Sequence, residues 1–452
     1  MNYNSLVVRT RGFSLSTSRL RLVLIYGIAV FVSLFLFVSL SRRGHLSNVS
    51  IPYITGHRKT DLSLPDAPFI SWPLARTCSE TKWTPGVVFA CNNNSGGIGN
   101  IRSFILTCVR YAIAAGATGL VLPQIETRSE DDLAHLFNGQ QPFSYFFDEA
   151  HFRHSLHEAC PAMIVYESFE AVPNTHDLRA EPLQPKAMGL RGGCDERDLN
   201  RHTDRFRQEF DAMVARSAAE FGLPTVSEQH PRLFQPVWGV QWEWPVAKDG
   251  PAFANTFGGL LRLRSDILEL GKGIVAAMVK ATESRPFAGV HLRTENDALS
   301  FWPAFETQAK EFLKTLTTKK LQAVYLATGN ATEAGKLRER VEEHGLRVWT
   351  KDSLLQDQAE LQKRLQSLTW DQQALVDFVV LLSCSYFLGV SPSSFSMTIA
   401  AKRHLATNDG SDGGIYTRPW PVNDIGDSRS RLVGNYAGHW DDWLMMYDAL
   451  WP

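Results

Sequence analysis

Positions 289–297 read Gly-Val-His-Leu-Arg-Thr-Glu-Asn-Asp, an apolar strand pattern that stops in a cluster of charge. In an open α/β sheet, ligands settle outside the carboxyl ends of the strands. A His, an Arg and two acids emerging there are placed to hold a phosphorylated substrate. Arg293 carries most of that expectation: its planar fork of donors matches phosphate oxygens and would stabilise charge building on a departing diphosphate. His291 and Glu295 share its strand face at a period of two, and Asp297 would hold the loop or a sugar hydroxyl. A plainer reading stands beside this one, with Arg293 in a surface ion pair with Glu295 or Asp297 and His291 a satisfied core histidine.

Three further places have the composition of a site. Ser393-Ser394-Phe395-Ser396 opens a helix after an apolar run, and helix amino ends with free N–H groups and hydroxyls bind phosphate. Ser393 also makes an ordinary N-cap. The loop 92–100 holds Gly96, Gly97 and Gly99, which let backbone approach a ligand ahead of a helix, although such turns are common. It lacks the full dinucleotide fingerprint. Asp377 sits within a helical pattern, where the bland reading is a solvated acid.

Taken together, His-x-Arg-x-Glu-x-Asp at 291–297, Ser-Ser-Phe-Ser at 393–396 and Gly-Gly-Ile-Gly-Asn-Ile-Arg at 96–102 resemble the GDP-fucose protein O-fucosyltransferase family, chiefly its plant and fungal branches. Phe147-Asp148 with His151-Phe152, Val324 to Gly329, and Phe387-Leu388-Gly389 extend the resemblance in patches from about Gly86 to Arg403. It implies that Arg293, Glu295 and His291 do the chemistry. It also implies that Gly97, Gly99, Asn100, Arg102, Asp297, Asp377, Ser393, Ser394 and Phe395 hold the nucleotide sugar, with Asp377 reading guanine. GDP-fucose is then the donor, a protein or glycan hydroxyl the acceptor, and neither cofactor nor metal is needed. One departure concerns the base: some relatives carry a Glu in the loop before the first helix, whereas Asn92-Asn93-Asn94-Ser95 has no carboxylate, leaving Glu295 as the local candidate. That departure keeps open a membrane-anchored binder without turnover, and a glycosyltransferase using another nucleotide sugar stands as a third reading.

The elements that must position these residues alternate. A strand at Gly86 to Cys91, a helix through Ile101 to Ala112 and a strand at Thr118 to Ile125 open a first unit. Past Phe257 come a helix to about Ala281, strand Ala288 to Leu292, a helix to Leu316, and strand Ala323 to Thr328. Helix Glu333 to His344, strand Arg347 to Thr350, helix Asp371 to Leu382 and strand Tyr386 to Val390 complete the series. Alternation of this kind predicts a parallel sheet covered on both faces. With the resemblance it predicts an α/β fold of two Rossmann-like halves facing a cleft, the glycosyltransferase B arrangement. Residues 140–255, with Pro173, Pro182 and Pro185, read as long loops.

Leu22 to Leu40 is a 19-residue stretch without charge, long enough to span a bilayer. Four Arg precede it and two follow, which favours a cytoplasmic amino end and a retained type II anchor. The domains expected are a tail at 1–21, a transmembrane helix at 22–40, a stem at 41–82, halves at 83–256 and 257–425, and an extension at 426–452. Six Cys and sequons at Asn48, Asn93 and Asn330 fit a lumenal address, in the Golgi membrane or alternatively the endoplasmic reticulum. The first 60 residues hold eight Arg/Lys and no Asp/Glu, leaving 38 basic against 47 acidic residues beyond, a balance that disfavours nucleic acid as a partner. No Asp-x-Asp, P-loop, Gly-x-Ser-x-Gly or His-Glu-x-x-His occurs, so metal-chelating transferase, kinase, hydrolase and zinc protease readings lack support.

Overall fold

Val87-Val88-Phe89-Ala90 is an unbroken apolar run, the pattern of a strand buried on both faces. The computed structural model describes residues 60–452 apart from 176–178, 189–202, 299, 301, 407–424 and 435–445, and it places this run in the centre of a parallel sheet. The expected Leu22 to Leu40 anchor, Asn48 and Cys194 lie outside the described residues. Among the described residues no helix is long and apolar enough to cross a membrane.

The first half runs α1 (Trp72–Glu80), β1 (Thr84–Ala90), α2 (Ile98–Ala114), β2 (Ala117–Val121), β3 (Ile125–Thr127), β4 (Gly139–Gln141), α3 (Glu149–Ala159), β5 (Ile164–Tyr166), β6 (Glu181–Leu183), α4 (Phe206–Phe221), β7 (Arg232–Pro236) and α5 (Gly250–Phe257). Five strands form one parallel sheet in the order β5-β2-β1-β7-β6, while β3 and β4 make a separate hairpin. Two disulfides, Cys78–Cys160 and Cys91–Cys108, tie α1 to the end of α3 and the end of β1 to α2.

The second half runs α6 (Ser265–Ala281), β8 (Ala288–His291), α7 (Phe305–Thr318), β9 (Ala323–Ala327), α8 (Ala331–Glu343), β10 (Arg347–Trp349), α9 (Lys351–Leu355), α10 (Ala359–Gln366), α11 (Trp370–Ser383), β11 (Tyr386–Val390), α12 (Ser394–His404), β12 (Ile425–Gly426), β13 (Ser430–Val433) and α13 (Met446–Ala449). Its sheet has the order β10-β9-β8-β11-β13-β12, parallel except for β12. α11 is buried along most of its length because α6 lies against it, with Gly271 letting the backbones approach at Val379.

Three expectations need correction. The segment read as stem includes α1, which its disulfide fixes to the fold. The segment read as long loops supplies β5, β6 and β7, and β7 lies beside β1 with Val87 opposite Arg232 and Phe89 opposite Phe234. Its sequence Arg-Leu-Phe-Gln-Pro hid it, because the buried Arg232 is neutralised by Glu181 at 2.6 Å rather than excluded. The carboxyl-terminal segment 426–452 completes both halves instead of extending them. β13 pairs with β11, and Trp451 is wholly buried against Phe253 and Phe257.

Candidate functional site

The carboxyl ends of β8, β9 and β10 and the amino ends of α2, α11 and α12 open onto one cavity of about 550 Å³. β8 and β9 run in register to His291 and Ala327, which sets the chain after β8 beside the Thr328-Gly329 turn. Gln308 of α7 then fixes Arg293 from its backbone, accepting from its N–H at 3.0 Å and donating to its carbonyl at 2.8 Å.

The Arg293 side chain is held on three sides. Nη1 donates to Glu295 Oε2 at 2.7 Å, Nη2 donates to Asp297 Oδ1 at 2.6 Å, and the guanidinium carbon lies 5.0 Å from the Trp302 ring centroid. Burial works against its charge, but the two carboxylates outweigh it and keep the guanidinium protonated. Those bonds occupy two of the five N–H donors that a guanidinium carries.

Glu295 is committed to this arrangement. Oε2 also accepts from the Thr294 N–H at 3.1 Å, and Oε1 accepts from the Gly329 N–H at 2.7 Å and the Thr328 hydroxyl at 3.3 Å. Burial alone would raise its pKa, but Arg293 and these donors hold it below the ordinary glutamate range. An ionised carboxylate with both oxygens engaged orients Arg293, and that engagement disfavours the base role for which the sequence nominates Glu295.

His291 is buried and neutral. Loss of water around the imidazolium depresses its pKa to about 4. Nδ1 lies 2.7 Å from Ser396 Oγ, which accepts from the Val390 N–H at 3.1 Å, and the ring packs on Phe395 with centroids 4.6 Å apart. With Nδ1 occupied, Nε2 is the nitrogen left for a ligand. Ser393 caps α12 by accepting from the Ser396 N–H at 3.4 Å, and the first N–H groups of that helix have no intrahelical acceptor. Ser393, Ser394 and Phe395 therefore bring an anion-binding helix end to the cavity wall.

Asp377 is not a solvated acid. Its Oδ1 accepts from the Tyr325 hydroxyl at 2.5 Å, and Oδ2 pairs with Lys351 Nζ at 2.7 Å. Burial would lower the lysine's pKa, yet Asp377 more than offsets that and keeps it charged. Lys351 went unnoticed in the sequence, although it follows β10 as Arg293 follows β8, and the strand-end rule that selected one selects the other.

The loop of the first half behaves in two ways. Gly96, at φ +97°, and Gly97 line the cavity, as does Asn100, whose Oδ1 is buried without a hydrogen-bond partner among the described residues. Gly99 does not line it but lies against Ser394. Arg102 points away: Nη2 donates to the carbonyls of Gly258 at 2.9 Å and Pro452 at 2.6 Å, and Nη1 to that of Trp451. Its position one helical turn into α2 aims it at the chain's final residues. The Phe147-Asp148 and His151-Phe152 pair is likewise structural, with Asp148 capping α3 and pairing with Arg262 at 2.8 Å.

The sequence reading also missed Arg128, Trp370 and Asp371. Arg128 follows β3 and crosses to the second half, where Nη1 lies 3.3 Å from Asp297 Oδ2, Nε 3.5 Å from Asp371 Oδ1, and the guanidinium carbon 4.6 Å from the Trp370 ring centroid. A run of alternating charge thus joins Asp371, Arg128, Asp297, Arg293 and Glu295.

A family model described as GDP-fucose protein O-fucosyltransferase matches residues 87–406. No curated protein sequence matches the chain. Among solved structures the chain is similar to POFUT1 in complex with GDP, at 14% identity and a TM-score of 0.42, over 72% of this chain and 95% of that one. It is also similar to the fucosyltransferase NodZ from Bradyrhizobium, at 16% identity and a TM-score of 0.36, over 71% and 92%. A third is an Arabidopsis thaliana FUT1 mutant in complex with GDP, at 13% identity and a TM-score of 0.35, over 74% and 72%. The matched span begins in β1, passes through both sheets and ends just after α12, so it contains every residue that lines the cavity. The chain is a glycosyltransferase and belongs to the GDP-fucose protein O-fucosyltransferase family.

Proposed function

We propose that this protein transfers fucose from GDP-fucose to a hydroxyl of a protein or glycan acceptor, without a divalent metal, in the lumen of the secretory pathway. The observation that carries the proposal is a preset Arg293 and the amino end of α12 facing one cavity inside the family-matched span. Arg293 takes up the charge that appears on the β-phosphate as the bond to fucose C1 breaks, and the free N–H groups of α12 hold the diphosphate. Asp377 accepts from the guanine edge through the lone pairs that Tyr325 and Lys351 leave on its two oxygens, and Asn100 Oδ1, without a partner among the described residues, accepts from a ligand hydroxyl. Commitment of three of the four cavity carboxylates to cations, Glu295 and Asp297 to Arg293 and Asp377 to Lys351, supports a reaction without metal.

The two parallel sheets on either side of the cavity support the glycosyltransferase B arrangement. The two disulfides support an oxidising compartment. With Leu22 to Leu40 as a type II anchor, the protein belongs in the Golgi membrane, or alternatively that of the endoplasmic reticulum.

One observation favours a binder without turnover. The loop before α2 has no carboxylate, and its asparagines serve the backbone: Asn93 Nδ2 donates to the Pro236 carbonyl at 2.9 Å and Asn94 Nδ2 to that of Cys91 at 2.8 Å. Calorimetry with detergent-solubilised full-length protein, GDP or UDP, and a chelator present separates the readings when combined with GDP release from GDP-fucose. Transfer predicts metal-free GDP binding tighter than UDP binding, with slow release of GDP from the donor. GDP binding without any turnover selects the binder, and absence of GDP binding removes both.

A further inference from the structure

Four carboxylates line the cavity, and three are committed on both oxygens. Glu295 is held by Arg293 and the Gly329 N–H, Asp297 by Arg293 and Arg128, Asp377 by Tyr325 and Lys351. Asp371 differs. Its Oδ1 lies 3.5 Å from Arg128 Nε, an ion pair longer than a hydrogen bond, and its Oδ2 has no partner among the described residues. The side chain stands in the first turn of α11, which a capping box of Thr369 and Gln372 fixes in place. Arg128 connects it through Asp297 to Arg293, so Asp371 is one guanidinium and one carboxylate away from the group that receives the leaving phosphate.

Resting on the fucosyl-transfer reading above, we propose that Asp371 is the general base that deprotonates the attacking hydroxyl. The acceptor oxygen forms a bond to fucose C1 while the bond from C1 to the β-phosphate oxygen breaks and its electron pair leaves on GDP beside Arg293. The hydroxyl proton passes to Asp371 Oδ2 and returns to water once product has left. The charged groups that face Asp371 are Arg128 and Glu130, both from the β3–β4 hairpin. Burial raises the carboxyl's pKa, Arg128 opposes and Glu130 adds to the rise, and the net shift is upward. A carboxylate shifted this way is a stronger base than one at its ordinary value. The assignment also accounts for the loop Asn92-Asn93-Asn94-Ser95, which has no carboxylate: the base comes from α11 of the second half.

The test uses full-length protein in detergent, GDP-fucose, and water as the acceptor, with GDP release as the signal. Asp371→Asn keeps the shape and the contact with Arg128, so GDP affinity and melting temperature should match wild type. GDP release should fall by about 10²-fold or more, the scale of losing a general base. Wild type should lose activity on the acid side of its pH profile, the residual Asp371→Asn rate should lack that limb, and Asp371→Glu should recover part of the rate. An Asp371→Asn protein that releases GDP as fast as wild type, or keeps the same acid limb, overturns the assignment alone. A wild type that neither binds GDP nor turns over the donor overturns the fucosyl-transfer reading and this assignment with it.

Discussion

Gly99 of α2 lies against Ser394 of α12 so closely that a Cβ there would sit 2.5 Å from both the carbonyl carbon and the carbonyl oxygen of Ser394. The amino ends of these two helices, one from each half, border the same cavity. A methyl group at 99 meets backbone, which has nowhere to turn. Gly99→Ala should therefore cost about 1–3 kcal/mol by overpacking and push the anion-binding turn of α12 out of place. A lower melting temperature together with weaker GDP binding is the expected result, whereas Gly97→Ala, which meets nothing within 4 Å, should melt like wild type.

This glycine shows what was legible in the sequence. The strand-end residue Arg293 and the helix-opening Ser393-Ser394 were readable because local pattern fixes where a strand stops and a helix starts. Gly99 was readable as a residue of interest, but its reason, contact with a helix about 295 positions away in sequence, belongs to tertiary packing. Arg102 looked like a ligand residue for the same local cause and turned out to bind the chain's last carbonyls. Arg128 and Asp371 left no local signal, since each gains its meaning only when the β3–β4 hairpin reaches α11. β7 was hidden because a buried Arg232 and a Pro in five residues imitate a loop.

Arg128 stacks on Trp370 and braces Asp297, the partner of Arg293. Arg128→Met keeps the packing on the ring and removes the ion pairs. Arg293 keeps Glu295, so donor binding should survive while GDP release slows by about tenfold, or ~1.4 kcal/mol on the barrier. Separate kcat and KM values check this, and a change confined to KM would show that Arg128 only binds.

Lys351 and Asp377 form a buried pair, and removing one partner strands the other. Lys351→Met should cost about 3 kcal/mol for the uncompensated carboxylate. Lys351→Met combined with Asp377→Leu should regain most of the stability and none of the preference for GDP over UDP. Thermal melts and calorimetry of wild type and these two variants separate the structural role of the pair from its contact with the base.

His291 supplies a pH dependence. Its native pKa of about 4 lies below the ordinary value of 6.5 because burial disfavours the imidazolium. The unfolded chain therefore binds the proton first, and stability conferred by the neutral ring is present above about pH 6.5 and lost as pH falls toward 4. The loss amounts to roughly 3 kcal/mol by the worth of a pKa unit. Denaturant melts between pH 7 and 4 should decline more steeply for wild type than for His291→Gln, and equal slopes would remove the histidine from that account.

Arg293→Lys is the sharpest probe of the chemistry. The native guanidinium spans Glu295 and Asp297 at 2.7 and 2.6 Å while turning further donors to the cavity. A lysine ammonium is a point charge on a flexible stem and serves one carboxylate at a time. It keeps the site's net charge and loses the preset fork, so the loss should fall on the transition state, where charge collects on the departing phosphate. GDP release should drop by about 10²-fold or more, ~3 kcal/mol, the scale of one preorganised donor. GDP affinity should change far less. Arg293→Ala is the harsher variant, because it leaves buried Glu295 without its cation and Asp297 with Arg128 alone, and it should lower the melting temperature as well as the rate. A stably folded Arg293→Lys protein with an undiminished rate would show that the Arg293 fork serves only to hold Glu295 and Asp297 and does no chemistry.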